Sequence, residues 1–270
     1  MPVVLVERPE AHVARILLNR PDRLNAMDHE LVARLHDALD EVGGDAETRV
    51  VLLTGAGKGF SSGLDLQDWG PVPTPGGHAH ARVGVGFQEF IANLTQHVRQ
   101  TPQIVVASVH GAAYGGGLAL ACAADLRIAA RSARFCSAFI RTGLTGTDIG
   151  ISYLLPRLVG AGRALDMIVT GREVGAEEAE RMGLVSRLVG DDELDGATLE
   201  LARGIAGFTA TGLILTKEVF WHNVDTPTLA AALALENRNQ TIAGRTPEVQ
   251  EYIRAYRTRF TIGVSASYDR

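Results

Sequence analysis

The chain has 270 residues, of which 46% are hydrophobic and 21% charged, enough to bury one sizeable core and a smaller appendage. Its 26 Lys and Arg against 31 Asp and Glu leave a formal net charge of −5, which excludes a broad basic surface for nucleic acid or anionic membrane. The 2 cysteines, Cys122 and Cys136, sit among apolar and small residues, so they exclude a disulfide scaffold and read as small buried hydrophobes in a reducing compartment.

The opening MPVVLVERPE carries no basic stretch followed by an apolar run and a small-residue cleavage site, and no run is long enough to span a bilayer; a soluble, cytoplasmic protein is expected. Val3 to Glu7 and Val13 to Asn19 read as two β runs joined by the turn-forming RPEAH, a hairpin. Leu31, Leu35, Leu39 and Val42 then recur at helical spacing, with Asp28 as N-cap. Val50 to Thr54 is a strand. The polar, Pro/Gly/His-rich segment Gly70 to His80 has no periodicity and reads as a mobile loop, a candidate lid. Phe87, Phe90, Ile91, Leu94 and Val98 mark a helix, Ile104 to Val109 a continuously apolar buried strand, and Asp125 to Ala130 another strand. Beyond Gly190 only helices are predicted, and the boundary falls near Gly190 to Gly196, giving a core of residues 1–190 and a helical region of 191–270.

Two glycine-containing segments follow two buried strands. Gly59 to Leu66 (GFSSGLDL) comes after VVLLT, and Gly111 to Gly117, with Gly115, Gly116 and Gly117 in succession, comes after IVVASV. The second opens an Ala/Leu helix, whose first N–H groups lack partners and lie at the positive end of the helix dipole. Parallel neighbouring strands would bring both segments to one sheet edge, where the backbone N–H groups of Leu64 and Gly116 converge on one oxygen.

The order of segments resembles the crotonase family, the enoyl-CoA hydratase/isomerase superfamily. The resemblance rests on LNRPDRLNAM (Leu18 to Met27), VVLLTGAGKGFSSGLDL (Val50 to Leu66), VHGAAYGGGLALACAADLRIA (Val109 to Ala129), ARF (Ala133 to Phe135), LPRLVGAGRALDMIVTGR (Leu155 to Arg172) and AEEAERMGLVSRLV (Ala176 to Val189). It implies an α/β fold, a spiral of ββα units with a C-terminal helical region used for trimer formation, and a homotrimer or dimer of trimers. It also implies a coenzyme A thioester as substrate, with no permanently bound cofactor, its carbonyl oxygen lying between the N–H groups of Leu64 and Gly116. Arg20, Arg23 and Lys58 fall in segments that line the nucleotide end in the family, and Leu66 adjoins them. The resemblance makes Arg23, Lys58, Asp65, Leu66 and Arg257 the cofactor-binding candidates: Asp65 resembles the aspartate that follows the oxyanion-hole residue and orders its loop, and Arg257 in YIRAYRTRF resembles a basic helix that reaches a neighbouring subunit's ligand.

One departure bears on the reaction. Hydratases of the family use two glutamates, and the matching positions here are Ala119 and Phe139, neither of which transfers a proton. Asp148, in TGLTGTDIGISY, resembles, allowing one inserted residue, the aspartate used by dienoyl-CoA isomerases for proton transfer and by halobenzoyl-CoA dehalogenases as nucleophile. It also precedes the apolar run IGISYLLPRL, so helix capping is the competing reading. A single acid–base favours isomerisation over hydration. The alternatives are an Asp-nucleophile dehalogenase or thioesterase-like enzyme and a non-catalytic acyl-CoA binder. His110 reads as structural, His78 and His80 lie in the lid segment, and Arg141 is a surface residue within reach of an acidic acyl group. No His, Cys, Asp or Glu cluster has the spacing of metal ligands.

Overall fold

Two short apolar runs, VLV and VARILL, build the opening hairpin: β1 (Val4–Glu10) pairs antiparallel with β2 (Val13–Leu18) across a tight turn in which His12 takes a φ of 62°. The structure is a computed structural model that describes residues 1–68 and 79–268 and, within them, the side chains other than those of 79–85 and 259–268. Gly70 to His78, most of the expected lid, and the side chain of His80 therefore lie outside the described residues.

Asp28 caps α1 (His29–Gly44) as expected, its carboxylate accepting from the Leu31 N–H at 2.8 Å, and Leu31, Leu35, Leu39 and Val42 form the buried stripe. β3 (Val50–Gly55), α2 (Ala79–Gln100), β4 (Ile104–Val109), β5 (Ala112–Tyr114), α3 (Gly116–Ala123), β6 (Leu126–Ala130) and β7 (Arg134–Cys136) follow. A 3₁₀ turn (Ala138–Thr142) leads to α4 (Ile151–Val159), α5 (Ala161–Thr170), β8 (Glu173–Gly175), α6 (Ala176–Arg181), β9 (Arg187–Val189) and α7 (Leu194–Ala206).

The main sheet has the order β1-β2-β3-β4-β6-β9, parallel throughout except for β1. Its central strands β3 and β4 are apolar on both faces because α1 and α2 on one side and the remaining layer on the other exclude water from them. A second sheet, β5-β7-β8, has no counterpart in the sequence reading, since strands of three residues are too short to show alternation. Among the described residues no helix is long and apolar enough to cross a membrane.

The chain divides into two compact units, Met1–Arg203 and Gly204–Arg270. The division falls inside α7, later than the boundary expected near Gly190, because α7 is tied to the sheet. Its Thr198 Oγ1 lies 3.1 Å from Ser108 Oγ of β4, Ala202 is fully buried, and Arg203 donates to Glu10 of β1. The second unit contains α8 (Ala210–Asn223), α9 (Leu229–Ala243) and α10 (Pro247–Tyr268), the first two capped by Thr209 and Thr228.

Candidate active site

Parallel pairing of β3 with β4, with Thr54 opposite Ser108, delivers the two glycine segments to the same sheet edge. Beyond the strands the pairing goes on. Phe60 N–H donates to His110 O, Ser61 N–H to Ala112 O, and Tyr114 N–H back to Ser61 O, each at 2.9 Å, with Ser61 opposite Ala113 in a parallel bridge.

Side-chain-free backbone makes this approach possible. A Cβ on Gly63 would lie 2.6 Å from Tyr114 O and 3.0 Å from Gly116 N, and Gly63 holds a φ of 86°. On Gly117 a Cβ would collide with Ser61 O, and on Gly116 with Met27 Cε. Met27 fixes the direction of the Leu64 peptide, because its N–H donates to Gly63 O at 2.7 Å and its carbonyl accepts from Asp65 N–H at 3.0 Å. Those two bonds occupy one edge of the segment, so the Leu64 N–H between them points the other way. Among the described residues no hydrogen bond from the Leu64 or Gly116 N–H is found, and Gly116, as the first residue of α3, has no partner within the helix.

Asp65 is buried at 4% exposure, and its four contacts are internal. Oδ1 accepts from the N–H groups of Gln67 and Asp68 at 3.1 and 3.2 Å, while Oδ2 faces Arg20 at 3.1 Å and Arg23 at 3.7 Å. Burial pushes its carboxyl upward, but these donors outweigh burial and hold it below the usual carboxylate range. Asp65, grouped with the ligand-binding candidates on the family resemblance, is thus an organiser of its loop. Arg20 is likewise engaged, bound to Asp28 at 3.0 Å, to Asp65 and to Ala26 O. Arg23, Leu64 and Leu66 instead line a groove of about 380 Å³ with Leu24 and Gln67, in which Leu66 is 64% exposed. Lys58 lies exposed in the turn after β3, close to Gly111. Arg257 is exposed on α10 in the second unit.

Asp148 is half-buried and does not cap α4. Gly150 (φ 85°) is the N-cap, and it is the main-chain carbonyl of Asp148 that accepts from Ile151 N–H, at 2.9 Å. Two residues in the left-handed region, Ile149 (φ 36°) and Gly150, separate the carboxylate from the helix and remove the capping geometry. Asp148 Oδ1 instead accepts from Ile149 N–H at 2.7 Å and from Gln88 Nε2 of α2 at 2.5 Å. Ile149 joins this segment to the glycine edge: its Cδ1 is 3.2 Å from where a Gly116 Cβ would stand. A β-branched residue at positive φ is costly, and such strain concentrates at working sites.

Ala119 is fully buried in α3, and Phe139 lies across Gly115, with Cε1 3.8 Å from the position of a Cβ there. His110 Nε2 pairs with Gly57 O at 3.0 Å, a structural contact within the same turns. Both cysteines are buried; burial raises the Cys122 thiol to about 12, and Cys136 donates to Gly171 O. Among the described residues no group of three or more His, Cys, Asp or Glu is arranged to hold a metal ion.

Met27, Ile149 and Gln88 are not singled out by the sequence reading. Met27 stands inside a quoted motif, whereas Ile149 and Gln88 show no local signal. The family profile described as enoyl-CoA hydratase/isomerase matches residues 8–261. The chain is 44% identical over 238 residues to the Mycobacterium bovis protein named "Probable enoyl-CoA hydratase echA12", covering 88% of this chain and 84% of that one. It is 37% identical over 252 residues to the 1,2-epoxyphenylacetyl-CoA isomerase of Escherichia coli strain K12, covering 93% and 94%. The crystal structure of a "probable enoyl-CoA hydratase/isomerase" from Mycobacterium abscessus superposes with a TM-score of 0.88 at 39% identity, covering 96% of each chain. With this sheet, these paired glycine turns and these matches, the chain belongs to the enoyl-CoA hydratase/isomerase family and has the crotonase fold.

Proposed function

We propose that the chain is a coenzyme A thioester isomerase in which the N–H groups of Leu64 and Gly116 hold the thioester oxygen and the Asp148 carboxylate moves the proton. The observation that carries the reading is one edge with two amides that have no partner among the described residues, and the Asp148 carboxylate tied to that edge through Ile149, beside Ala119 and Phe139, which carry no titratable group. With a 3-enoyl thioester, Asp148 removes a proton from the carbon next to the carbonyl. The electron pair shifts through the carbonyl and the double bond, giving a dienolate whose oxygen is negative. Two aimed donors and the positive end of α3 stabilise that charge, and the protonated Asp148 returns its proton to the far carbon, leaving a 2-enoyl thioester. Proton and charge balance without water. Hydration needs a second group to activate water, and neither Ala119 nor Phe139 supplies one.

The E. coli relative, named for isomerisation of an epoxy-acyl-CoA, matches along nearly its whole length, which supports an isomerase acting on a coenzyme A thioester. Arg23, Lys58 and Leu66 are proposed to meet the nucleotide end of the ligand from the exposed side of the groove, and Arg257 is proposed to reach the ligand of a neighbouring subunit. The helical unit is proposed to carry self-association into a trimer or dimer of trimers, since it exposes Phe220, Leu233 and Ile242 at 57%, 44% and 49%.

The test compares isomerisation of 3-enoyl thioesters with hydration of crotonyl-CoA in the wild type and in Asp148→Asn. Isomerisation is expected to dominate, and Asp148→Asn is expected to lower its kcat about 10³-fold. Robust hydration that survives Asp148→Asn overturns the assignment.

A further inference from the structure

We propose that Gln88 is a positioning residue that decides which oxygen of Asp148 works as the base, an inference that rests on the reading of Asp148 as the acid–base. Oδ1 receives two donors, the Gln88 amide at 2.5 Å and the Ile149 N–H at 2.7 Å. A carboxylate oxygen with two donors has its lone pairs engaged and is the poorer proton acceptor. Among the described residues Oδ2 receives no donor, which leaves it the more basic oxygen, and the carboxylate plane is set from two directions.

Gln88 does not act from an isolated position. Gln88 and Thr95 are seven residues apart on α2, two helical turns, so they share one face. Thr95 Oγ1 shares its one hydrogen between Ala92 O at 2.9 Å and Ile149 O at 3.1 Å, and lies 3.4 Å from where a Cβ on Gly150 would stand. The helix thus grips the Asp148–Ile149 segment at two points, the side chain of one residue and the carbonyl of the next. Between them, Ile91 and Leu94 are buried at 2% and 1% exposure and fix the register of α2 on the core. The positive φ of Ile149 is held by the same grip, and through Ile149 the grip extends to Gly116. One helix therefore ties the position of the carboxylate to that of the amide edge.

Gln88 is exposed, so its substitution leaves the core intact, and thermal unfolding of each variant checks this directly. The experiment measures the pH dependence of kcat/KM for isomerisation, and kcat and KM separately, in Gln88→Ala, Gln88→Glu and Gln88→Lys. A donor to the charged carboxylate favours ionisation, and a neighbouring negative charge opposes it. The midpoint of the acid limb is therefore expected to rise in the order Lys, wild type, Ala, Glu, with about one pH unit between wild type and Glu. Gln88→Ala is expected to lose about 10-fold in kcat with little change in KM, and Gln88→Lys to recover part of that loss. A purely structural role lowers activity without ordering the acid limbs by charge. Coincident limbs with Asp148→Asn inactive overturn this inference alone. If Asp148→Asn stays active, the acid–base reading falls and this inference with it.

Discussion

The two ends of α3 are treated in opposite ways. At its N-terminus the Gly115 N–H donates to Cys136 O at 2.9 Å, while among the described residues no hydrogen bond from the Gly116 N–H is found beside the Gly63 segment. At its C-terminus the carbonyls are stoppered by long cationic side chains. Arg127 donates through Nη1 to Ala124 O at 2.8 Å and Ala121 O at 3.3 Å, and through Nε to Leu184 O at 2.7 Å, while Arg99 Nη2 reaches Cys122 O at 3.2 Å. Arg127 is only 6% exposed, and burial pulls its guanidinium below the usual range; burial likewise lowers Arg99 to about 10. Helix carbonyls that would be orphaned are satisfied from inside the protein, whereas the Gly116 donor has no partner among the described residues. The contrast separates a terminus that completes a fold from one proposed to meet a ligand.

The strongest way to break this contrast is to force the open end apart. Gly63→Ala puts a Cβ against Tyr114 O at 2.6 Å and requires a side chain at φ 86°. It is expected to cost about 2–4 kcal/mol and at least about 100-fold in kcat/KM, read by thermal unfolding and turnover. Near-wild-type turnover would remove the role given to the close approach of the two turns.

Arg127→Met tests the closed end. It leaves the carbonyls of Ala121, Ala124 and Leu184 without that donor, with an expected destabilisation of about 2–3 kcal/mol by denaturant unfolding and a change in kcat below about 10-fold. A loss of kcat well beyond that would show that the stoppered end acts through the helix on the open one.

The smallest expected effect concerns the loop that carries Leu64. Asp65 is held below the usual carboxylate range, so its folded value lies under its unfolded value near 3.8. The folded state then binds fewer protons between those two values, and the contribution of Asp65 is present above them and lost as pH falls through the folded value. Asp65→Asn is expected to cost about 1–2 kcal/mol at pH 7, with the gap to wild type narrowing below about pH 4. A gap that stays constant with pH would assign the loss to packing and not to the charge.

Much of this architecture is legible in local patterns. The apolar runs at Val50 to Thr54 and Ile104 to Val109, the spacing of Leu31, Leu35, Leu39 and Val42, and the Asp28 cap each concern neighbours within a few residues, and each appears as read. Asp148 shows where that logic stops. As an Asp before an apolar helix it has the local marks of a cap, yet two left-handed residues intervene and its carboxylate turns to α2. Arg127 likewise sits in a strand-like DLRIAA, and nothing nearby signals that its side chain closes a helix.

The sequence by itself determined the elements, the two glycine turns and the absence of acids at Ala119 and Phe139, because periodicity, turn chemistry and residue identity are properties of short stretches. Only the tertiary structure decided that Gly63 comes against Tyr114 O and Gly116 N, that Gln88 reaches Asp148 across 60 residues, and that Arg99 and Arg127 close one end of α3. Those pairings arise from parallel strand register and helix packing, which join distant segments through a shared core and leave little trace in either segment alone.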